Sequence, residues 1–178
     1  MLQTHAVKKQ PSLFKTILLA GLIAGTSDAL FAIADFTVSR HANPVIIFWY
    51  IASGAFGSAS SPKVLITADI STQFIYAAAG VLLHYFIAYT FITVLFFLFP
   101  LFNKILANVL LIAVVYGIIV WLVMNYIVLP LAFAGQFPVY TVKTILSVSY
   151  LIVAIGLAGS LFAGRFYQAK NARAVYLA

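Results

Sequence analysis

The sequence predicts an all-α membrane protein, a bundle of four transmembrane helices with an additional short interfacial or re-entrant helix between the first two spans. Three observations carry this expectation. The 178-residue chain is 65% hydrophobic and 7% charged, whereas soluble domains carry about 25% charged residues. Its mean hydropathy is +1.12. Its apolar residues gather into four runs, each long enough for the roughly 20 residues that a helix needs to cross the hydrocarbon core.

The first run, Phe14–Val38, follows Lys8, Lys9 and Lys15. It is longer than the apolar region of a secretory signal and no small-residue cleavage pattern closes it, so it reads as a retained anchor. Asn43 and Pro44 then open a short helix over residues 44–57, with Asn43 placed to cap it and Pro44 in its first turn. That helix runs into the small-residue stretch Ser53 to Ser61 and is too short to span comfortably. The second span, Phe74–Phe99, is preceded by Asp69, Ser71 and Thr72, an acid where a helix dipole favours one. The third, Ile105–Leu131, holds Asn125 and Pro130. Proline there deprives the Tyr126 carbonyl of its usual donor, so the helix either ends nearby, the favoured reading, or kinks and unwinds. The fourth span is Ile145–Phe166. One membrane domain, residues 1–178, accounts for the length.

Charge sets the orientation. Four spans put Lys8, Lys9, Lys15, Lys104, Arg165, Lys170 and Arg173 on one side and Arg40, Lys63 and Lys143 on the other. The richer side is expected to be cytoplasmic, so both termini face the cytoplasm across the cell membrane. A fifth span at 44–57 would divide the same residues equally and leave nothing to orient the chain. The basic residues stand singly at the ends of apolar runs, which argues for membrane orientation and against nucleic acid as a partner. Trp49, Tyr50, Tyr140, Tyr167 and Tyr176 fall near the span ends, where amphipathic rings prefer the membrane interface.

Helices in lipid associate by close backbone approach, so small residues four apart mark contact faces. Gly21 and Gly25 form such a pair, and the same stripe continues through Asp28, Ala32 and Asp35. The second span offers Gly80, His84 and Ala88, the third Ala113, Gly117, Trp121 and Asn125, and the fourth Gly156, Ser160 and Gly164.

Within this oily frame three polar residues stand out. Asp28 lies midway along the first span, where an ionised acid costs about 2.5–3.5 kcal/mol. His84 is interior to the second span and Asn125 lies in the third. A cluster of the three could hold a proton, a cation or a small polar molecule, because desolvation and a neighbouring imidazole act on a carboxyl in opposite directions. The competing reading is structural: interhelical polar contacts also fix helix register. Asp35, near the outer boundary, reads as a solvated acid within reach of Arg40.

The inventory for catalysis is thin. The chain has no cysteine and its acidic residues are Asp28, Asp35 and Asp69, which removes disulfides, thiol chemistry and thiolate metal sites. Metalloprotease and serine-hydrolase motifs are missing, so no catalytic or metal-binding residue is assigned and no cofactor is expected. Ser147, Ser149 and His84 leave an intramembrane serine nucleophile formally open, and a lone His84 argues against bis-histidine haem.

Gly21-Leu-Ile-Ala-Gly-Thr-Ser-Asp28, Pro44 followed by Ile51-Ala-Ser-Gly54, Leu83-His-Tyr-Phe86, and Val123-Met-Asn125 with Pro130-Leu131 resemble a group of small, uncharacterised bacterial four-helix membrane proteins. The resemblance covers about three quarters of the chain. It implies a similar bundle with a recurrent Asp, His and Asn, and no activity. It also implies a further polar residue, commonly His, on the fourth helix, where this chain has Ser147 and Ser149.

Two functions follow as expectations. One is binding or transport of a small solute, ion or proton through Asp28, His84 and Asn125. The other is an accessory or structural role within a homo-oligomer or larger membrane complex, with lipid as the surrounding partner.

Overall fold

The computed structural model describes residues 12–41, 43–57, 61–133 and 141–177. Lys8, Lys9, Tyr140 and the Ser58–Ser60 part of the small-residue stretch lie outside them, as do the side chains of Arg40, Arg173 and Tyr176. The described residues are almost wholly helical. In chain order the elements are α1 (Leu13–Arg40), α2 (Val45–Phe56), the single turn α3 (Pro62–Leu65), α4 (Ile70–Leu106), α5 (Val109–Val123), α6 (Leu129–Ala132), α7 (Val142–Leu151) and α8 (Ala158–Leu177). A π-helical turn, Met124–Val128, joins α5 to α6, and a second, Ile152–Leu157, joins α7 to α8.

Four continuous helical rods, Leu13–Ser39, Ile70–Leu106, Val109–Ala132 and Val142–Ala172, are long and apolar enough to cross a membrane, which supports a multi-pass membrane protein. The short helix α2, 12 residues long, does not reach that length. Each expected span is present; the first, second and fourth helices run past their apolar windows, whereas the third starts at Val109 rather than Ile105, because Ile105 and Leu106 complete α4 and Asn108 caps α5. Asp69 accepts from the Thr72 amide at 2.9 Å and starts α4 four residues before Phe74. Asn108 accepts from the Leu110 amide at 2.8 Å and starts α5 immediately after the preceding helix ends. Asn43 Oδ1 accepts from the Val45 amide at 3.0 Å, so the short helix opens where Asn43 and Pro44 place it.

The largest departure is at Pro100, which lies inside α4 although the expected span stops just before it. A proline removes the donor that would serve the carbonyl four residues back, here that of Phe96. The Tyr167 hydroxyl of the fourth span donates to the Phe96 carbonyl at 2.9 Å. With that acceptor satisfied from a neighbouring helix, α4 continues to Leu106.

At Pro130 the two sequence alternatives both occur. The π turn is the local unwinding, with the Leu129 amide donating to Met124 O five residues back, and the helix ends at Ala132. Pro130 sits in the first turn of α6, where a missing N–H costs least.

Consecutive spans run antiparallel and meet at the small residues. Gly156 stands against the carbonyl of Ala113, where an added Cβ would come within 2.2 Å of that oxygen, and Gly117 stands against the Ile152 backbone. Third and fourth spans therefore touch backbone to backbone. Gly80 does the same with Phe48 of α2, a Cβ there falling 2.0 Å from the Phe48 carbonyl oxygen. Gly21 and Gly25 act differently, as notches for the rings of Tyr89 and Tyr85 on α4. Gly164 makes only ordinary contact with Phe99 and Val109, and Ser160 is fully buried. The core gathers toward the end of the bundle where α1 begins, around Ile92, Leu95, Phe96, Phe99, Ile112 and Tyr116.

Two rings expected at the membrane interface are turned inward instead. Trp49 is buried and donates Nε1–H to the Gln73 carbonyl at 3.0 Å, and Tyr167 stacks on Phe99 besides serving Phe96. A hydroxyl or indole N–H satisfies a helix carbonyl as well as it satisfies a headgroup. Position near a span end therefore does not decide which way the ring faces.

Candidate functional site

The stripe through Gly21, Gly25 and Asp28 on α1 faces protein. Gly21 and Gly25 are buried under α4, and past them the stripe opens onto a cavity of about 500 Å³ lined by Asp28, Ala32 and Asp35. Its opposite walls are Trp121, Met124 and Asn125 of the third span and Ser147 and Tyr150 of the fourth. The hollow lies at the end of the bundle away from the N-terminus, and Thr141, Lys143 and Thr144 stand at its mouth.

Asp28 also lines a second, smaller pocket of about 80 Å³ with His84, Ile51, Met124 and Leu151. It is close enough to His84 for a direct electrostatic interaction. His84 Nε2 lies 2.8 Å from the Gly25 carbonyl oxygen. A carbonyl has no proton to give, so Nε2 donates, and in the neutral ring Nδ1 is left as the proton-accepting nitrogen. The edge of the imidazole meets the Phe48 ring of α2 at 6.5 Å between centroids. The short helix thus supplies Ile51 to the wall of the inner pocket and backs His84 with Phe48.

Asn125 shares the larger cavity with Asp28 but not the inner pocket with His84. Its Nδ2 donates to the Trp121 carbonyl at 2.9 Å, one turn back along its own helix. Of the three residues predicted together, Asp28 therefore lines one hollow with His84 and another with Asn125, and neither hollow is lined by all three. No three-way hydrogen-bonded cluster is formed among them in the described contacts.

A third, apolar pocket of about 240 Å³ lies between α2, α4 and the third span, lined by Tyr50, Ile51, Gly54, Met124, Val128 and Phe133. Met124 borders all three hollows. It is the first residue of the π turn, a type of local expansion that recurs at functional sites. Leu151, immediately before the other π turn, separates the outer cavity from the inner one with it.

Sequence reasoning missed Met124, Trp121 and Tyr150 as lining residues. The signal for Trp121 was present in the stripe Ala113, Gly117, Trp121, Asn125. Tyr150 carried none. Asp35, expected to be solvated, lines the cavity and accepts from Ser39 Oγ at 3.4 Å. Neither candidate serine pairs with His84: Ser147 Oγ accepts from Trp121 Nε1 and donates to the Thr144 carbonyl, and Ser149 donates to Ile145. Among the described residues no group of three His, Cys, Asp or Glu side chains is placed to hold a metal ion.

No protein-family profile, curated protein or solved structure matches the chain.

Proposed function

We propose that this protein lies in the cytoplasmic membrane with both termini in the cytoplasm, and that its Asp28 cavity binds a small solute, ion or proton for passage through the bundle. One observation carries the reading: the Asp28 side chain is a wall common to the outer cavity and to the inner pocket that holds His84. A carboxylate at mid-span is costly unless a proton or a cation neutralises it. A mobile partner arriving through the cavity fits that requirement better than a fixed ion pair, because among the described residues Asp28 has no salt-bridge partner beyond the neighbouring imidazole. On the inner side His84 Nδ1, left without the proton that Nε2 carries in the neutral ring, is a proton acceptor in the same pocket. Orientation rests on the excess of Lys and Arg on the N-terminal side.

Reconstitution into liposomes tests the proposal. Wild-type protein is expected to pass protons or Na⁺ down an imposed gradient, read with a pH- or Na⁺-sensitive dye. Asp28→Asn should abolish the flux while the detergent-purified protein stays helical and monodisperse. Equal flux in the two proteins would remove Asp28 from the mechanism. If wild type moves nothing and purifies only as a stable oligomer or complex, the accessory-subunit reading takes its place.

A further inference from the structure

The chemistry of the outer cavity narrows the ligand. Its deep polar groups are committed as donors within the protein. Trp121 Nε1–H goes to Ser147 Oγ at 3.1 Å, Ser147 O–H to the Thr144 carbonyl at 2.9 Å, and Asn125 Nδ2 to the Trp121 carbonyl at 2.9 Å. The last contact also fixes the amide orientation: with nitrogen against a carbonyl, Oδ1 is the end that turns away. What the cavity offers a ligand is therefore mainly acceptors, the carboxylates of Asp28 and Asp35 and the Asn125 Oδ1. The Tyr150 hydroxyl can act either way, and at the mouth Lys143 and the hydroxyls of Thr141 and Thr144, which accept within the cap of α7, can still donate.

The remaining lining combines the aromatic rings of Phe31, Trp121 and Tyr150 with aliphatic side chains such as Met124, Leu129 and Leu151. Phe31, one turn from Asp28 on α1, stacks on Tyr150 of the fourth span at 5.0 Å between centroids and 5° between planes, and Trp121 lies on the third span. Ring faces attract weakly hydrated cations and do nothing for anions. Among the described residues no three His, Cys, Asp or Glu side chains converge, which disfavours the transition metals that such sets hold. The volume of about 500 Å³ lies within the range of small-molecule sites.

Resting on the binding function proposed above, we infer that the ligand of this cavity is a small organic cation, a primary or quaternary ammonium whose charged head meets Asp28 and whose carbon groups lie against Phe31, Tyr150 and Trp121. Two carboxylates outweigh the single Lys143, and the lysine is at the mouth where water screens it.

The test uses the full chain in lipid nanodiscs, titrated calorimetrically with butylammonium and tetramethylammonium, and with butyrate and butanol as matched anionic and neutral probes. The ammonium ions should bind saturably and the other two should not. Loss of the charge-assisted contact in Asp28→Asn should weaken binding by about tenfold or more. Tyr150→Leu should weaken it by about threefold to tenfold while Tyr150→Phe retains it, the signature of a ring-face contact. The Tyr150 pair keeps the test open if Asp28→Asn fails to fold. Binding of butyrate or butanol as tight as that of butylammonium overturns the inference, as does undiminished ammonium binding by folded Asp28→Asn and Tyr150→Leu proteins. Absence of ammonium binding alongside Asp28-dependent proton or Na⁺ flux removes this ligand and leaves the parent reading standing. Absence of both removes both.

Discussion

The two ends of the bundle are built from similarly apolar helices and differ in how the space between them is filled. Toward the end where α1 begins, Ile92, Leu95, Phe96, Phe99, Ile112, Tyr116 and Phe166 close the centre with large side chains. Toward the other end, Asp28 of α1, Asn125 of the third span and Ser147 and Tyr150 of the fourth border a volume that stays open. Both π turns border the small inner pocket, through Met124 on one side and Ile155 on the other, and Met124 also borders the open cavity. Hydropathy is blind to this division, since packing density depends on side-chain shape and helix separation rather than on apolarity.

If the closed end carries stability and the open end carries function, truncations in each should separate the two. Phe96 is 1% exposed, and Phe96→Ala should cost about 3 kcal/mol in a detergent or bicelle unfolding titration, as large core truncations do. Met124→Ala, which only joins hollows already present, should cost much less and instead raise solute flux. Comparable destabilisation by the two would erase the distinction.

A finer contrast lies within the closed end. Tyr167→Phe leaves the Phe96 carbonyl with neither its intrahelical donor, lost at Pro100, nor the hydroxyl that replaces it. We expect destabilisation of about 1–3 kcal/mol, the penalty of a buried group left unpaired. Ser160 is the reverse case, because its buried Oγ has no hydrogen-bond partner among the described residues. Ser160→Ala should leave stability unchanged or raise it by up to about 1 kcal/mol. The two substitutions having the same sign in a thermal melt would contradict this accounting.

The smallest effect is expected at the exposed start of α4. The hydroxyl of Ser71, then the hydroxyl and amide of Thr72, hold the Asp69 carboxyl well below the usual carboxylate range. A group depressed in the folded state contributes its stability above the unfolded value, about pH 4, and loses it as pH falls toward the folded value. The melting temperature of wild type should therefore drop slightly more between pH 7 and pH 3 than that of Asp69→Asn. An equal drop would assign the acid sensitivity elsewhere.

Much of the fold was legible because its causes are local. Four apolar runs gave four spans, Asp69 and Asn43 marked helix starts, and the helical spacing of Gly21, Gly25 and Asp28, four and then three residues apart, gave the face that turns inward. Pro100 misled because the hydroxyl that compensates for it comes from Tyr167, far away in sequence. The pairing of Asp28 with His84 was suggested by depth alone. The outer cavity was not legible, since its walls come from three spans far apart in sequence, through Asp28, Asn125 and Tyr150. The Ile152–Leu157 π turn contains no proline and left no mark in the sequence; we have no local physical account of it.

The tyrosines that bind α4 to α1 have one further consequence. Tyr89 donates to the Leu18 carbonyl at 3.1 Å, yet every turn of a helix presents an equivalent carbonyl, so this bond alone would permit α1 to slip by one turn, about 5.4 Å. What forbids the slip is a key with two teeth. Tyr89 and Tyr85, four residues apart, enter the slots at Gly21 and Gly25, also four apart. Shifted one turn either way, one tooth still finds a slot while the other meets Asp28 and Ala29 or Ile17 and Leu18. The depth of Asp28 relative to His84 is thus set mechanically, by two missing side chains.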